Sequence, residues 1–504
     1  MRRTIPLHLL TAGALIAALA GCRSKDAETE SASRNASDSA AAGASAENGG
    51  VIAVTTSSDE ARELYLRGQA MGDHARVHDA RELFQQAAAK DSNFALAHYG
   101  LATSSTGPGD FLSHLDQAVK LSDKASEGER LMIQSLQAGA AGDSKKSLEY
   151  TKELAAKYPR DPRAHWLLGI GYLGMQEFDQ AVGQLTKSTE LDSSFAPAYN
   201  ILGYTYMPQG KYAEAETAFK KYIELVPDNP NPYDSYAEML LRTGRFDESI
   251  AQYRKALSVD PNFSNSHIGI AGNLMFQGKH DAAAAEAQKL YDAARDDGDR
   301  RTALLSRAVT AVDRGSTAQA IREMERLYAL DAKAGDTAAM ANDGQQMGDI
   351  LLAGGRADDA ARRYQQALAL VKGSGLSAEI KQFTELADHY NLARVAAAKG
   401  DAATAKAHAD RFRTGAEATA DVGRIRQAHE LTGMIALQEK DFDAAVTHLG
   451  QADQQDPYVL YYLATAYQGK GDAAKAKDYA KRAADMHILP TIRYALVRSK
   501  ATKL

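Results

Sequence analysis

The sequence contains very little cysteine, proline and tryptophan. Its 504 residues include one cysteine, 12 prolines and one tryptophan. A single thiol forms neither an intramolecular disulfide nor a cysteine-based zinc site. Scarce proline, combined with long alanine-rich stretches, favours helix over sheet. Because the chain is also too long for one ordinary hydrophobic core, we expect an all-α protein with several domains or a repeat array.

Positive charge is not in excess either. The 59 lysines and arginines are outnumbered by 65 aspartates and glutamates, and the formal charge is −6. An acidic chain is poorly suited to binding phosphate backbones, and here the two signs are mixed along the sequence, as on solvated helix faces. We therefore predict no nucleic-acid partner.

The N-terminus has the pattern of a bacterial secretion signal. Arg2 and Arg3 precede an apolar run over residues 7–20, which is too short for a comfortable membrane span. The run leads into the sequence Leu-Ala-Gly-Cys, which ends at Cys22 and resembles the bacterial lipobox. The resemblance implies that residues 1–21 are a cleaved signal peptide and that the Cys22 thiol is diacylated. Several acyl chains would make the membrane attachment stable.

Two further features bear on where the protein lies. Arg23 follows the cysteine, whereas an aspartate at this position favours inner-membrane retention in enteric lipoproteins. That resemblance implies the outer membrane, with the folded part facing the periplasm. Residues 24–58 are mostly small and polar, so they cannot bury enough surface to fold. We predict that residues 22–58 are the lipidated cysteine and a disordered tether.

Residues of matched size recur every 34 positions in the middle of the chain. Two columns hold small residues and a third holds bulky ones. The columns are Gly169, Gly203, Ala237 and Ala271; Ala181, Ala215, Ser249 and Ala283; and Leu185, Phe219 and Tyr253. Two helices approach closely only where a small side chain lies at the crossing, and a bulky one fills the neighbouring gap. Each repeat is therefore predicted to be one helical hairpin.

Glycine and proline mark the predicted ends of these helices. Gly142, Gly210, Gly244 and Gly278 lie where the first helix of a hairpin must stop and turn, a role that glycine fills best. Pro227 lies where a second helix must stop. The hairpins are thus expected to be joined by short turns.

The repeats resemble those of the tetratricopeptide repeat family. One closely matching unit contains Tyr199, Leu202, Gly203, Tyr206, Ala215, Phe219 and Pro227. The resemblance implies a right-handed superhelical solenoid of about 11–12 antiparallel helix hairpins, a TPR array. The spacing loosens after Ala283, and a charged run at residues 292–301 interrupts the pattern. We therefore predict a regular array at 59–291, an irregular array at 292–489 and a C-terminal capping helix at 490–504.

In tetratricopeptide arrays the first helices of the hairpins line a concave groove that usually receives peptides. The resemblance places ten residues of this chain in such a groove: Trp166, Asn200, Tyr204, Met207, Asn231, Asp234, Glu238, Arg242, Met275 and Phe276. Aromatic rings are good interface anchors because they bury much surface with little loss of rotamer freedom. The alternative is that the rings only complete the packing between hairpins. The lysines and asparagines that clamp a terminal carboxylate in chaperone-binding members are not visible.

Histidine recurs at the first aromatic column of the repeat. The histidines in this column are His98, His165, His267, His389 and His429. One hypothesis is a pH-sensitive stack; the favoured one is packing, since residues one repeat apart are too distant to share a metal. His74 and His78 have the spacing of metal ligands on one helix face, but no third ligand is evident and we interpret them as surface residues.

The sequence contains no phosphate loop, nucleophile elbow, dinucleotide fingerprint or kinase signature. We predict that the protein is not an enzyme and has no cofactor and no bound metal. The leading hypothesis is a membrane-anchored scaffold that binds partner proteins or peptides of the bacterial cell envelope. The second is a solute- or glycan-binding lipoprotein of an outer-membrane uptake system, although the insertions between repeats are short for a sugar site.

Overall fold

A computed structural model describes residues 50–74, 76–105, 108–141, 143–376, 378–418 and 422–504. Within these ranges the secondary structure consists of helices and turns without a strand, so the predicted all-α repeat array is confirmed. No helix in these ranges is long and apolar enough to span a bilayer. The predicted signal peptide, Cys22, the tether up to residue 49 and Gly142 lie outside the described residues.

The first of two compact units ends at Pro227. Its described part contains ten α-helices, which pack as consecutive pairs joined by short turns. The helices are α1 Asp59–Asp73, α2 Val77–Lys90, α3 Ala95–Thr103, α4 Pro108–Leu121, α5 Glu127–Ala140, α6 Ser144–Lys157, α7 Pro162–Gly174, α8 Phe178–Leu191, α9 Ala196–Tyr206 and α10 Tyr212–Leu225. These pairs form five hairpins.

The second compact unit begins at Asp228. Its described part contains seven hairpins and a single last helix. The helices are α11 Pro230–Arg242, α12 Phe246–Val259, α13 Ser264–Phe276, α14 His280–Asp292, α15 Asp297–Asp313, α16 Thr317–Ala334, α17 Thr337–Ala353, α18 Ala357–Gly373, α19 Ala378–Ala398, α20 Ala402–Ala418, α21 Val422–Gln438, α22 Phe442–Leu449, α23 Pro457–Gly469, α24 Ala473–Ala484 and α25 Ile492–Ala501. The described residues of both units together form twelve hairpins, within the predicted number.

The turns inside the hairpins use the predicted glycines. Gly210, Gly244 and Gly278 have φ angles of 72°, 76° and 74°, the left-handed conformation that glycine adopts without a steric penalty. Gln176 and Lys440 occupy the same place in two other hairpins with φ of 62°. The turn geometry is therefore kept even where the sequence lacks glycine.

Glycines also allow the two helices of a hairpin to touch. A Cβ on Gly203 would lie 2.5 Å from the Phe219 ring, so only glycine permits this crossing without a shift. The same separation of 16 residues joins Gly348 to Tyr364 in the second unit, where the added Cβ would lie 2.3 Å from the ring. The hairpin geometry therefore persists after the 34-residue period is lost.

The charged run at residues 292–301 does not interrupt the array. α14 packs against α15, and the second unit continues through this region because the two units divide between Pro227 and Asp228. Asp296 caps α15 by accepting a hydrogen bond from the backbone N–H of Asp299 at 2.9 Å. The acidic residues thus start a helix, as carboxylates near a helix N-terminus do.

The last part of the predicted tether is attached to the first unit. The backbone N–H of Ile52 donates to Asp161 Oδ2 at 2.8 Å, and that of Thr55 donates to Glu129 Oε1 at 2.7 Å. Thr56 Oγ1 donates to Asp91 Oδ2 at 2.6 Å. The prediction of disorder is therefore wrong for residues 50–58. Composition predicts disorder from missing apolar burial, but carboxylates near the helix ends hold this segment, and Ile52 and Val54 pack against hydrophobic clusters of the unit.

Candidate binding groove

In the first unit, two predicted groove residues occupy the same place in successive hairpins. Trp166 on α7 and Asn200 on α9 are 34 residues apart, and both side chains are half-buried. Trp166 packs edge-on against Phe195, with ring centroids 6.1 Å apart, and Arg163 lies 5.7 Å from its ring. Trp166 Nε1 and Asn200 Oδ1 are covered, and no hydrogen-bond partner for either is found in the described residues.

The other two predicted groove residues of this unit are more involved in packing. Tyr204 is half-buried, and its ring lies edge-on against Phe219 with centroids 5.3 Å apart. Met207 is 3% exposed and follows the end of α9, where a short 3₁₀ turn begins. Met207 therefore lies in the core of the hairpin, and of this pair only Tyr204 retains an accessible face.

In the second unit, the predicted groove residues of α11 are largely covered. Asn231, Asp234 and Glu238 are buried, and Arg242 at the end of the helix is half-buried. Burial raises the pKa of Asp234 to about 7, although Ser266 Oγ donates a hydrogen bond of 2.7 Å to its Oδ1. The neighbouring Glu238 carboxylate raises this pKa further. Asp234 thus titrates near neutrality.

The last two predicted groove residues, on α13, are covered by the chain itself. Met275 is fully buried in the core of this unit. Phe276 stacks on Phe246 with centroids 5.9 Å apart, and His487 lies edge-on at 5.2 Å. Tyr494 of α25 is 5.9 Å from the same ring. This aromatic position is therefore already occupied from within the second unit.

Each histidine of the predicted column meets a side chain of the second helix in its own hairpin. The partner is another imidazole in some hairpins and a carboxylate or an amide in others. His389 Nδ1 lies 3.0 Å from His408 Nδ1, and His267 Nδ1 lies 2.7 Å from Glu286 Oε1. Equivalent contacts join His98 to His114, His165 to Gln184 and His429 to His448, at 3.4, 2.8 and 3.2 Å.

The pKa values of two of these histidines are shifted in opposite directions. Burial lowers the pKa of His389, and the charge of Arg411 lowers it further. Burial also acts to lower the pKa of His267, but the hydrogen bonds to Glu286 and to the Pro261 carbonyl, together with the Glu286 charge, raise it, and the net change is upward. The pKa is thus lowered for His389, which faces another imidazole, and raised for His267, which faces a carboxylate.

The structure differs from the sequence interpretation at two histidine features. The sequence interpretation considered contacts only between histidines of the column. In four hairpins the contact partner instead follows 19 residues later, a spacing visible in the sequence at His389 and His408. His74 ends α1 and His78 lies in α2, so they do not share a helix face. Among the described residues, no three histidine, cysteine or acidic side chains are grouped to hold a metal.

The sequence did not predict where the C-terminal residues pack. Arg498 donates two hydrogen bonds to the Asp313 carboxylate, from Nε to Oδ1 at 2.7 Å and from Nη2 to Oδ2 at 2.6 Å. Arg493 pairs in the same way with two acids, Asp456 and Glu430, each at 2.6 Å. The sequence did show that α25 contains basic residues and no acidic ones, which indicates acidic partners. The neighbouring sequence does not show which acidic residues these are.

The tetratricopeptide repeat family matches the chain at three places. Its models match residues 196–229, 231–263 and 389–411. These segments cover α9 to α12 and part of α19 and α20, so both compact units contain a matched repeat. No curated protein matches the chain.

Several solved structures are similar in fold. A tetratricopeptide repeat protein from Parabacteroides merdae is 17% identical, covers 51% of this chain and 98% of its own, and has a TM-score of 0.36. YrrB, described as a TPR protein with an unusual peptide-binding site, is 18% identical over 37% and 94%, with a TM-score of 0.27. PilW, a type IV pilus biogenesis factor, is 16% identical over 50% and 92%, with a TM-score of 0.29. The chain therefore contains tetratricopeptide repeats within its array of paired helices.

Proposed function

We propose that this protein is a scaffold that binds peptides or proteins of the bacterial cell envelope on the first-helix face of its hairpins. The observation that carries the proposal is the pair of covered, unpartnered polar atoms on Trp166 and Asn200, at the same place in successive hairpins. An unpaired polar atom is costly, so a rotation of either side chain towards a partner would gain a hydrogen bond without breaking one in the described structure. A peptide backbone supplies both the acceptor and the donor.

The proposed location rests on the N-terminal sequence. The pattern that ends at Cys22 supports a lipid anchor, and the residue after it, Arg23, supports the outer membrane. A lipid-anchored chain with its hairpins in the periplasm would hold its partners close to the membrane. That the protein is not an enzyme stays a prediction.

The test is affinity purification from gently solubilised membranes with a matched set of variants. The wild-type chain, the double variant Trp166→Ala and Asn200→Ala, and the control Tyr212→Ala are tagged at the C-terminus. Tyr212 begins α10, a second helix, and is 37% exposed. We expect one or more envelope proteins to copurify with wild type and the control, and to be lost from the double variant.

Circular dichroism must show that the double variant keeps its helices. Recovery of the wild-type chain alone under several conditions would count against a scaffold. Copurification that is identical for all three chains would place the binding surface elsewhere. A rise in melting temperature with an oligosaccharide, in place of protein copurification, would favour the solute-binding hypothesis.

A further inference from the structure

The C-terminal segment, residues 486–504, lies across the first helices of the second unit. Its helix α25 packs against α15, α17 and α23, and also against α24, which precedes it in the chain. At its beginning, Pro490 lies over α13: a Cβ on Gly272 would be 3.0 Å from Pro490 Cδ. First helices are the ones that line the groove in this family. The segment therefore lies where a bound partner would be expected.

Two arginines attach the segment to acidic residues of different hairpins. Arg498 binds Asp313 of α15 with both carboxylate oxygens, and the Asp313 side chain is only 1% exposed. Arg493 lies between Glu430 of α21 and Asp456 at the start of α23. Ion pairs of arginine with both oxygens of a carboxylate fix geometry as well as charge. The two arginines thus form ion pairs at two separate acidic positions of the second unit.

Apolar side chains fill the space between these ion pairs. Ile492 and Ala495 belong to the core cluster that includes Leu304 and Ala308 of α15. Tyr494 is buried with Tyr458 of α23, and its ring also approaches Phe276. The segment therefore contacts the hairpins as a peptide ligand does, with apolar anchors in the centre and charged pairs beside them.

A helix that only capped the array would cover the last hairpin. Arg498 instead contacts Asp313, which is 185 residues earlier in the chain. α25 contains basic residues and no acidic ones, whereas the hairpin residues that it pairs with are all acidic. This charge complementarity is what distinguishes a specific occupant from a general apolar cover.

We propose that the first-helix face of residues 264–463 is a binding groove for a basic, aromatic helical segment, and that the C-terminal segment occupies it as a built-in competitor. The partner segment would carry two arginines about five residues apart and an aromatic residue between them, as Arg493, Tyr494 and Arg498 do. This inference rests on the proposed scaffold function. It adds the chemistry of the partner and the event that must precede binding, release of residues 486–504.

The first test uses a synthetic peptide with the sequence of residues 486–504 and a fluorescent label. Its binding to the full chain is measured by anisotropy, for wild type and for the double variant Arg493→Glu and Arg498→Glu. Reversing both charges should release the cis segment and leave Asp313, Glu430 and Asp456 without their arginine partners in α25. We expect the peptide to bind the variant at least tenfold more tightly than wild type. A peptide with the same two reversals is the control and should bind neither chain.

The second test keeps every groove residue except Gly272 and does not depend on a charge reversal. The changes Gly272→Cys and Pro490→Cys, with Cys22→Ser to remove the natural thiol, bring two thiols together where the segment meets α13. When oxidised, the disulfide holds the segment in place; when reduced, the segment can leave. We expect the peptide to bind the reduced chain and to bind the oxidised chain at least tenfold more weakly.

Two results would contradict the proposal. Equal binding to oxidised and reduced chains would show that the peptide uses another surface and would overturn it. So would failure of the peptide to bind either the charge-reversed or the reduced chain while circular dichroism shows both to be folded. Because the peptide replaces the natural partner, such a failure leaves the copurification test of the scaffold function unaffected.

Discussion

The first-helix faces of the two compact units differ in what completes them. In the first unit, Arg163 of α7 binds both oxygens of Asp73 at the end of α1, so hairpins hold other hairpins directly. In the second unit, the corresponding kind of ion pair joins Asp313 to Arg498 of the C-terminal segment. The second unit also has a direct pair between hairpins, from Arg394 of α19 to Asp349 of α17 at 2.6 Å, but its Asp313 pair reaches a helix outside the hairpins.

The difference shows that the number of repeats in a unit does not determine which part of its surface is available to a partner. Trp166, Tyr204 and Phe276 are all half-buried, but Trp166 and Tyr204 contact rings within the repeats, whereas Phe276 also contacts His487 and Tyr494 of the C-terminal segment. The same family positions therefore present different surfaces. Under the two proposals above, a partner of the first unit would contact side chains directly, and a partner of the second would have to displace the C-terminal segment.

The largest expected effect concerns the Arg498 ion pair. Arg498→Ala should lower the free energy of unfolding by about 3 kcal/mol, the lower end for breaking a buried ion pair, because His280 still contacts Asp313 at 2.9 Å. Hydrogen exchange should rise in α25 before it rises in other helices. The control Arg413→Ala removes an arginine that is 47% exposed and should change stability by less than about 1 kcal/mol. Equal losses in the two variants would mean that α25 adds no specific stability.

Asp234→Asn gives the second unit the side chain that the first unit has at Asn200. The folded-state pKa of Asp234, about 7, is above the unfolded value of 3.8, so the folded state retains its proton as pH rises. Stability from this group is full below about pH 4, falls as pH rises to about 7 and stays low above it. We expect the variant to be more stable than wild type by about 2 kcal/mol at pH 8 and by much less at pH 5. Denaturation with urea at both pH values measures this, and an equal gain at both would contradict it.

Both units should depend equally on their glycine crossings. Gly203→Ala in the first unit and Gly269→Ala in the second would place a Cβ 2.5 Å and 2.1 Å from an aromatic ring, and each should destabilise the chain by about 1–2 kcal/mol. Gly183 has no atom within 4 Å of an added Cβ, so Gly183→Ala should stabilise helix α8 by about 0.5–1 kcal/mol. Thermal denaturation compares the three. Harmless changes at Gly203 and Gly269 would show that the helices can separate.

The smallest expected effect is the response of the histidine pairs to acid. His389 and His408 have pKa values lowered by burial, with Arg411 adding to the effect and Glu385 and Asp388 opposing it. Because the unfolded chain takes up protons first, stability from this pair is present above about pH 6.5 and is lost as pH falls below it. His408→Gln should weaken that loss, which urea denaturation between pH 5 and 8 would show. An unchanged pH profile would mean that the pair does not titrate on folding.

The sequence predicted the features that depend on residues close together in the chain. Gly210 predicted a left-handed turn, and Gly203 with Phe219 predicted a helix crossing, because each requirement lies inside one hairpin of about 34 residues. Matching the repeat pattern was therefore sufficient to obtain the hairpins and their number.

The features that sequence reasoning missed depend on residues far apart. Nothing near Arg498 indicates Asp313 as its partner, and nothing near Ile52 indicates Asp161. The partner of His389 is nearer, 19 residues later, but it lies in the second helix and outside the histidine column of the first helices. The assignment of ten groove residues from the family pattern stays a prediction, and the burial of Met207 and Met275 favours packing roles for those two.

The attachment of the C-terminal segment also has a kinetic consequence. Hairpins that contact only their neighbours fold rapidly, because little chain entropy is lost before each contact forms. The contact between Asp313 and Arg498 closes a loop of 185 residues, the kind of step that is slow. The second unit therefore passes through a stage in which its hairpins are complete and their inner surface is open to any other chain.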